Sequence, residues 1–164
     1  MTKLAMPKID RKLIQKKDDV IADLERILRA ENILDHEDQI RPFETDALSA
    51  YKQKPLAVVF PENTQEVSKI LAYCNQERIK VVPRGAGTGL SGGSLPLADG
   101  ILLCLGKFNK IIDIDYKNRC VVAQPGVTNL SITKAVEGRS FYYAPDPSSQ
   151  IACSIGGNVA ENSG

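Results

Sequence analysis

The chain has 164 residues, 43% of them hydrophobic and 25% charged, with a formal net charge of +1. These values fit one ordinary globular domain with a sizeable core. The near-neutral balance gives no argument for nucleic acid or an anionic membrane surface as partner. No apolar run reaches the length of a transmembrane helix, and Met1–Lys8 lacks the apolar core of a signal peptide. The expected location is the cytoplasm.

Residues 9–30 place Leu13, Ile14, Ile21, Leu24, Ile27 and Leu28 at helical spacing among charges, most regularly from Asp19 to Ala30. The spacing predicts a helix whose apolar side packs on the rest of the fold. Residues 31–54 are mixed and loop-like, with a boundary signal at Arg41-Pro42. Leu56–Phe60 reads as a buried strand ended by Pro61. Asn63–Glu66 then offers a cap for a helix whose apolar face is Val67, Ile70, Leu71 and Cys74. Lys80–Val82 is the next strand, and this β-α-β unit implies parallel pairing and a right-handed crossover. Ile101–Leu105, Ile111–Asp115 and Cys120–Ala123 read as three more strands, the last two joined by a hairpin turn at Tyr116–Arg119. A break at Gln124-Pro125-Gly126 leads to a short helix, Asn129–Glu137, with Thr128 or Asn129 as its cap.

Cys74, Cys104, Cys120 and Cys153 are scattered in apolar stretches without C-x-x-C spacing, which predicts buried free thiols rather than disulfides or a metal site. The single histidine, His36, lies in the polar run Asp35–Asp38, where a surface or capping role is expected. One histidine excludes a His-pair metal site.

Residues 83–93 carry five glycines in eleven positions, directly after the strand Lys80–Val82. Glycine lets a ligand approach the backbone closely, so such a loop predicts N–H groups converging on an anion such as phosphate. Gly87–Gly92 fits G-x-G-x-x-G literally, and Asp113 or Asp115 lies at the distance of a Rossmann ribose-binding acid. That reading fails on context, because Pro96 and Gly100 oppose the helix that must follow. A Walker A loop fails for want of Gly-Lys-Ser/Thr. A strand–glycine loop–strand unit survives, with Thr88, Ser91 and Ser94 adding hydroxyls. A ligand-free structural turn is the alternative, and Arg84 fits a phosphate contact or a solvated surface charge equally well.

A second constellation runs from Tyr142 to Ser163. Pro145 and Pro147 fix the backbone around Asp146, and Ser148 and Ser149 follow. Gly156-Gly157 allows close approach, while Asn158, Asn162 and Ser163 supply neutral donors and acceptors. This suits an extended ligand with hydroxyls and a heteroaromatic edge; each piece alone also reads as a plain turn.

Taken together and in this order, Arg84–Gly93 and Pro145–Ser149 with Ile155–Asn158 resemble the FAD-binding domain of the vanillyl-alcohol oxidase / p-cresol methylhydroxylase family. The likeness extends upstream through Glu44–Tyr51 and Val58–Pro61. Within the family, Tyr142–Asn162 is most similar to the glycolate-oxidase-like members, with D-lactate and D-2-hydroxyglutarate dehydrogenases nearby. The resemblance implies an α+β fold: an N-terminal helical segment over 1–54, then a β-α-β-containing FAD-binding domain of the p-cresol methylhydroxylase (PCMH) type over 55–164, with its second subdomain truncated.

It also implies roles. Arg84, Gly85, Ala86, Gly87, Thr88, Gly89, Ser91, Gly92 and Gly93 would hold the FAD pyrophosphate. Pro145, Asp146, Ser148, Ser149, Gly156, Gly157 and Asn158 would line the pyrophosphate, ribityl chain and flavin edge. Some members tether the flavin to a histidine where this chain has Thr88, so noncovalent FAD is expected. The resemblance further implies oxidation of a 2-hydroxy acid to a 2-oxo acid, with electrons passing to an iron-sulfur subunit or quinone. The family's pattern continues beyond Gly164, so an N-terminal fragment without catalytic residues, inactive alone, is expected. A noncatalytic interaction module and a binding domain for another nucleotide or a phosphosugar are the competing readings.

Overall fold

The computed structural model describes residues 7–163. The N-terminal apolar stretch forms two helices rather than one, α1 (Arg11–Gln15) and α2 (Lys17–Glu25). The break is at Lys16, whose ψ of 16° leaves the helical region. Asp10 caps α1 by accepting from the Lys12 and Leu13 amides. Helical geometry stops at Glu25, short of the predicted Ala30. Of the predicted stripe, Leu24 and Leu28 are buried in the main core and Leu13, Ile21 and Ile27 pack against it, whereas Ile14 is 39% exposed and Val20, outside the predicted stripe, is buried.

Residues 31–54, expected to be loop-like, contain β1 (Ile33–Leu34) and α3 (Glu37–Ile40). Both are too short to display a period. The chain then runs through β2 (Ala57–Val59), α4 (Thr64–Gln76), β3 (Lys80–Arg84) and β4 (Gly100–Cys104). The sheet order is β1-β2-β4-β3, with β1 antiparallel to β2 and β4 parallel to both neighbours. The strands of the β2-α4-β3 unit therefore share one sheet without pairing directly, because β4 lies between them. Its run Ile101-Leu102-Leu103 is buried on both faces, and such a strand belongs in the interior of a covered sheet.

Alternate strand residues feed two layers. Ala57, Val59, Ile101 and Leu103 pack with Leu24 and Ile70 in the main core, while Val58, Val82, Leu102 and Cys104 pack with Ile40 and Phe43. Asn63 caps α4 by accepting from the Glu66 amide at 2.9 Å. Ile70 and Cys74 point inward, but Leu71, predicted on the same face, is 47% exposed.

β5 (Ile111–Asp115) and β6 (Cys120–Ala123) form a separate antiparallel pair at the predicted bounds. α5 (Asn129–Val136) is capped by Thr128, and α6 (Ile155–Glu161) by Ser154. Gly156-Gly157, read alone as a turn, is thus the first turn of a helix. All four cysteines are free, but Cys120 is exposed rather than buried, because it opens the outer strand of a two-stranded sheet. Burial pushes the Cys74 thiol up to about 11 and the Cys104 thiol up to about 12.

One buried acid ties the first helix to the sheet. The Asp99 carboxylate accepts from the Asp10 amide at 2.7 Å and from Lys80 Nζ at 2.7 Å. Burial raises its pKa, yet these donors together hold it below the ordinary carboxylate value. A carboxyl with a depressed folded-state pKa contributes stability above its unfolded value of about 4, and loses it as pH falls through the folded value. Asp99→Ala is expected to lower the unfolding free energy by about 2 kcal/mol at neutral pH, read from urea midpoints. The gap between wild type and variant should narrow below about pH 4.

Candidate functional site

β3 ends at Arg84, and the chain leaves the sheet through the glycine loop before returning as β4. The loop forms one wall of a cleft of about 540 Å³. The opposite wall is Pro147–Ser149 together with Cys153, Ser154, Gly156–Asn158 and the end of α6. Of the residues expected to bind a ligand, Arg84, Gly85, Ala86, Gly87, Thr88, Gly89, Gly93, Ser148, Ser149, Gly156, Gly157 and Asn158 line this cleft. Ser91, Gly92, Pro145 and Asp146 lie outside the lining. Pro145 and Asp146 hold the shape of their own turn: the Pro145 carbonyl accepts from Asn129 Nδ2 at 3.1 Å, and Asp146 Oδ1 accepts from Gln150 Nε2 at 2.5 Å.

Close packing joins the two motifs. A Cβ on Gly85 would stand 2.2 Å from Ser154 Oγ, and one on Gly156 2.6 Å from Pro125 Cβ. Only glycine fits at either place. The Ile155 amide donates to the Val127 carbonyl and the Gly156 amide to the Pro125 carbonyl, each at 2.8 Å. The first amides of α6 therefore dock the helix on the loop after β6.

The glycine loop is different. Among the described residues, no backbone N–H from Gly85 to Gly93 donates to a protein acceptor. Such a row of free donors is the chemistry of an anion cradle. Gly87 adopts a left-handed φ of 71°, and its carbonyl accepts from the Ala47 amide at 2.9 Å. That bond belongs to a clasp formed by residues 43–48. Asp46 is buried within it and accepts from the Leu48 amide at 2.9 Å. Arg84 reaches into the same clasp, donating to the Thr45 carbonyl at 2.8 Å and stacking 5.7 Å from the centre of the Phe43 ring. Its guanidinium is therefore engaged by backbone carbonyls.

On the facing wall, Asn158 is only 6% exposed, and its side-chain N–H2 is buried without an acceptor among the described residues. An unpaired buried donor costs stability and marks a place where a ligand acceptor fits. Ser154, Pro125 and Glu161 also line the cleft, and sequence reasoning did not place them there. The signal for Ser154 was available: it precedes a run that starts a helix, and serine is a favoured cap. Pro125 and Glu161 carried none, because their roles arise from contacts distant in sequence. Among the described residues no metal-ligating cluster occurs, and no helix is long and apolar enough to cross a membrane.

Fold and cleft together define a module that presents a row of backbone amides, without protein acceptors among the described residues, beside a cleft. The FAD binding domain family model matches residues 55–164, and the chain belongs to that family. FAD is its cofactor, and the free loop amides with the orphaned Asn158 donor fit its diphosphate and its acceptor-rich ring edge. The glycolate oxidase subunit GlcD of Escherichia coli (strain K12) is 51% identical over 160 residues, covering 98% of this chain and 31% of that protein. D-lactate dehydrogenase of Anaerostipes hadrus is 37% identical over 123 residues, covering 74% of this chain and 26% of that protein. The chain thus spans about a third or less of these relatives. A crystal structure of p-cresol methylhydroxylase with substrate bound superposes with a TM-score of 0.78 at 21% identity, over 94% of this chain and 30% of that one. The α+β, PCMH-type fold expected from the sequence is the fold observed.

Proposed function

We propose that this chain is the FAD-gripping portion of a flavoprotein that oxidises a small 2-hydroxy acid, of the glycolate or D-lactate kind, to a 2-oxo acid. The observation that carries the cofactor part is the row of free amides from Gly85 to Gly93, in a loop most of whose residues line the cleft opposite α6. The substrate class is supported by the identity to glycolate oxidase and D-lactate dehydrogenase proteins. When bound, FAD supplies the acceptor for the hydride that leaves the substrate Cα.

The chain's own residues bind and orient. Loop amides hold the diphosphate, with the Thr88 hydroxyl as a further donor. Ser148, Ser149, Gly157 and Asn158 surround the ribityl chain and flavin edge. Thr88 offers no tether, so the cofactor is held noncovalently. No described residue lining the cleft is a histidine, and His36 stands exposed at the start of α3. The base for the substrate hydroxyl and the partner for its carboxylate belong to sequence that the longer relatives carry. Alone, the chain is catalytically inactive; in a whole protein, a cytoplasmic one, electrons leave to an iron-sulfur subunit or a quinone.

A second reading, an interaction module that does not retain FAD, is favoured by one observation. Among the described residues the one cation lining the cleft, Arg84, is already engaged by carbonyls. A visible spectrum separates the two. The purified chain incubated with FAD and desalted is expected to be yellow, and acid precipitation should leave all flavin in the supernatant. Flavin in the pellet would contradict noncovalent attachment, and a colourless chain would favour the second reading.

A further inference from the structure

Glu161 closes α6, and nothing in the helix asks for it. A carboxylate at a helix C-terminus opposes the macrodipole, and Asn162 behind it already provides the left-handed cap, with φ 51°. Its side chain instead reaches across the cleft. Ser91 Oγ donates to Glu161 Oε2 at 3.0 Å. The other carboxylate oxygen lies 2.9 Å from where a Cβ on Gly93 would stand and 3.6 Å from one on Gly89. A negative charge therefore rests against the loop whose amides have no acceptor. It also holds the hydroxyl of Ser91, a loop residue outside the cleft lining.

We propose that Glu161 is a displaceable placeholder that sets the affinity and selectivity of the loop for anions. This rests on the FAD reading above. In the empty chain the carboxylate keeps Ser91 occupied and repels incoming phosphates. Arg84, the other charged residue among those described in the lining, does not offset it, because its guanidinium is bound to the Phe43–Thr45 backbone. A small anion gains too few contacts to displace Glu161. FAD, gripped along the whole cleft, does displace it, and the freed Ser91 hydroxyl then turns to the diphosphate.

Equilibrium titrations of wild type, Glu161→Gln and Glu161→Ala with FAD and with ADP test this, at low and high salt. Glu161 is exposed at a helix end, so both variants are expected to melt with the wild type. Removing the charge should tighten FAD about three- to tenfold at low salt, and ADP by a larger factor than FAD. The gain should shrink at high salt, where the repulsion is screened. Unchanged or weaker FAD binding in Glu161→Gln overturns the placeholder while leaving the FAD site standing. Absence of FAD binding in all three chains overturns the FAD site, and the placeholder with it.

Discussion

Gly87→Val is expected to weaken FAD binding by at least about a hundredfold and to lower stability by about 1–3 kcal/mol. Two independent causes act at this position. Its φ of 71° lies in the left-handed region, which a β-branched side chain occupies only under strain. A Cβ there would also stand 2.4 Å from Arg84 Nη2 and 2.7 Å from Cζ. The guanidinium would have to leave, giving up its bond to the Thr45 carbonyl, and the Gly87–Ala47 bond would follow. Loop and clasp then lose their course together, and the free amides no longer converge. Gly89→Ala is the control: a Cβ there meets only the Glu161 carboxylate at ordinary contact distance, 3.6 Å. It should keep FAD binding within a few-fold of wild type. Flavin fluorescence titrations and urea midpoints on the same three chains give both readouts.

Leu102→Ala should cost about 3–4 kcal/mol of stability. Leu102 is fully buried at the centre of β4, level with Val58 on one side and Val82 on the other. Its layer holds Ile40 and Phe43, the residues that lead directly into the clasp over the glycine loop. The vacated volume cannot be filled by neighbours fixed in a parallel sheet, so the cavity persists. Urea unfolding at constant m-value should show the loss, and FAD affinity should fall as the clasp loosens. Leu71→Ala, at the exposed face of α4, is the comparison and should stay within about 0.5 kcal/mol of wild type.

The sequence was most readable where one residue type decides geometry alone. Five glycines in a short loop, followed by Pro96 and Gly100, excluded a Rossmann helix, and the structure indeed goes from β3 through turns to β4. The bounds of β5 and β6 were legible to the residue, because short apolar runs flanking a four-residue polar turn are local signals, although the irregular register at Ile111–Asp113 was not. What stayed hidden depends on distant contacts. Nothing in Ile101–Cys104 says that it inserts between β2 and β3. Arg84 offered a choice between phosphate and solvent, and the structure gives a third partner, the Thr45 carbonyl, supplied by a segment without local periodicity. Gly156 looked like a turn residue; its requirement comes from Pro125, which only tertiary packing brings to it.

The Thr45–Leu48 clasp changes how the loop works. Amides that are to hold an anion must be fixed before it arrives, since ordering them on binding lowers affinity. The Ala47–Gly87 bond, buried Asp46 and the Arg84–Thr45 bond do that fixing from outside the cleft, while Gly85 against Ser154 does it from within.

Equilibrium dialysis of the folded chain against FAD tests the central claim most directly. One FAD per chain is predicted, displaced competitively by ADP, whose diphosphate takes the same amides, and lost in Gly87→Val. A chain with native circular dichroism that leaves FAD evenly distributed across the membrane would contradict the account.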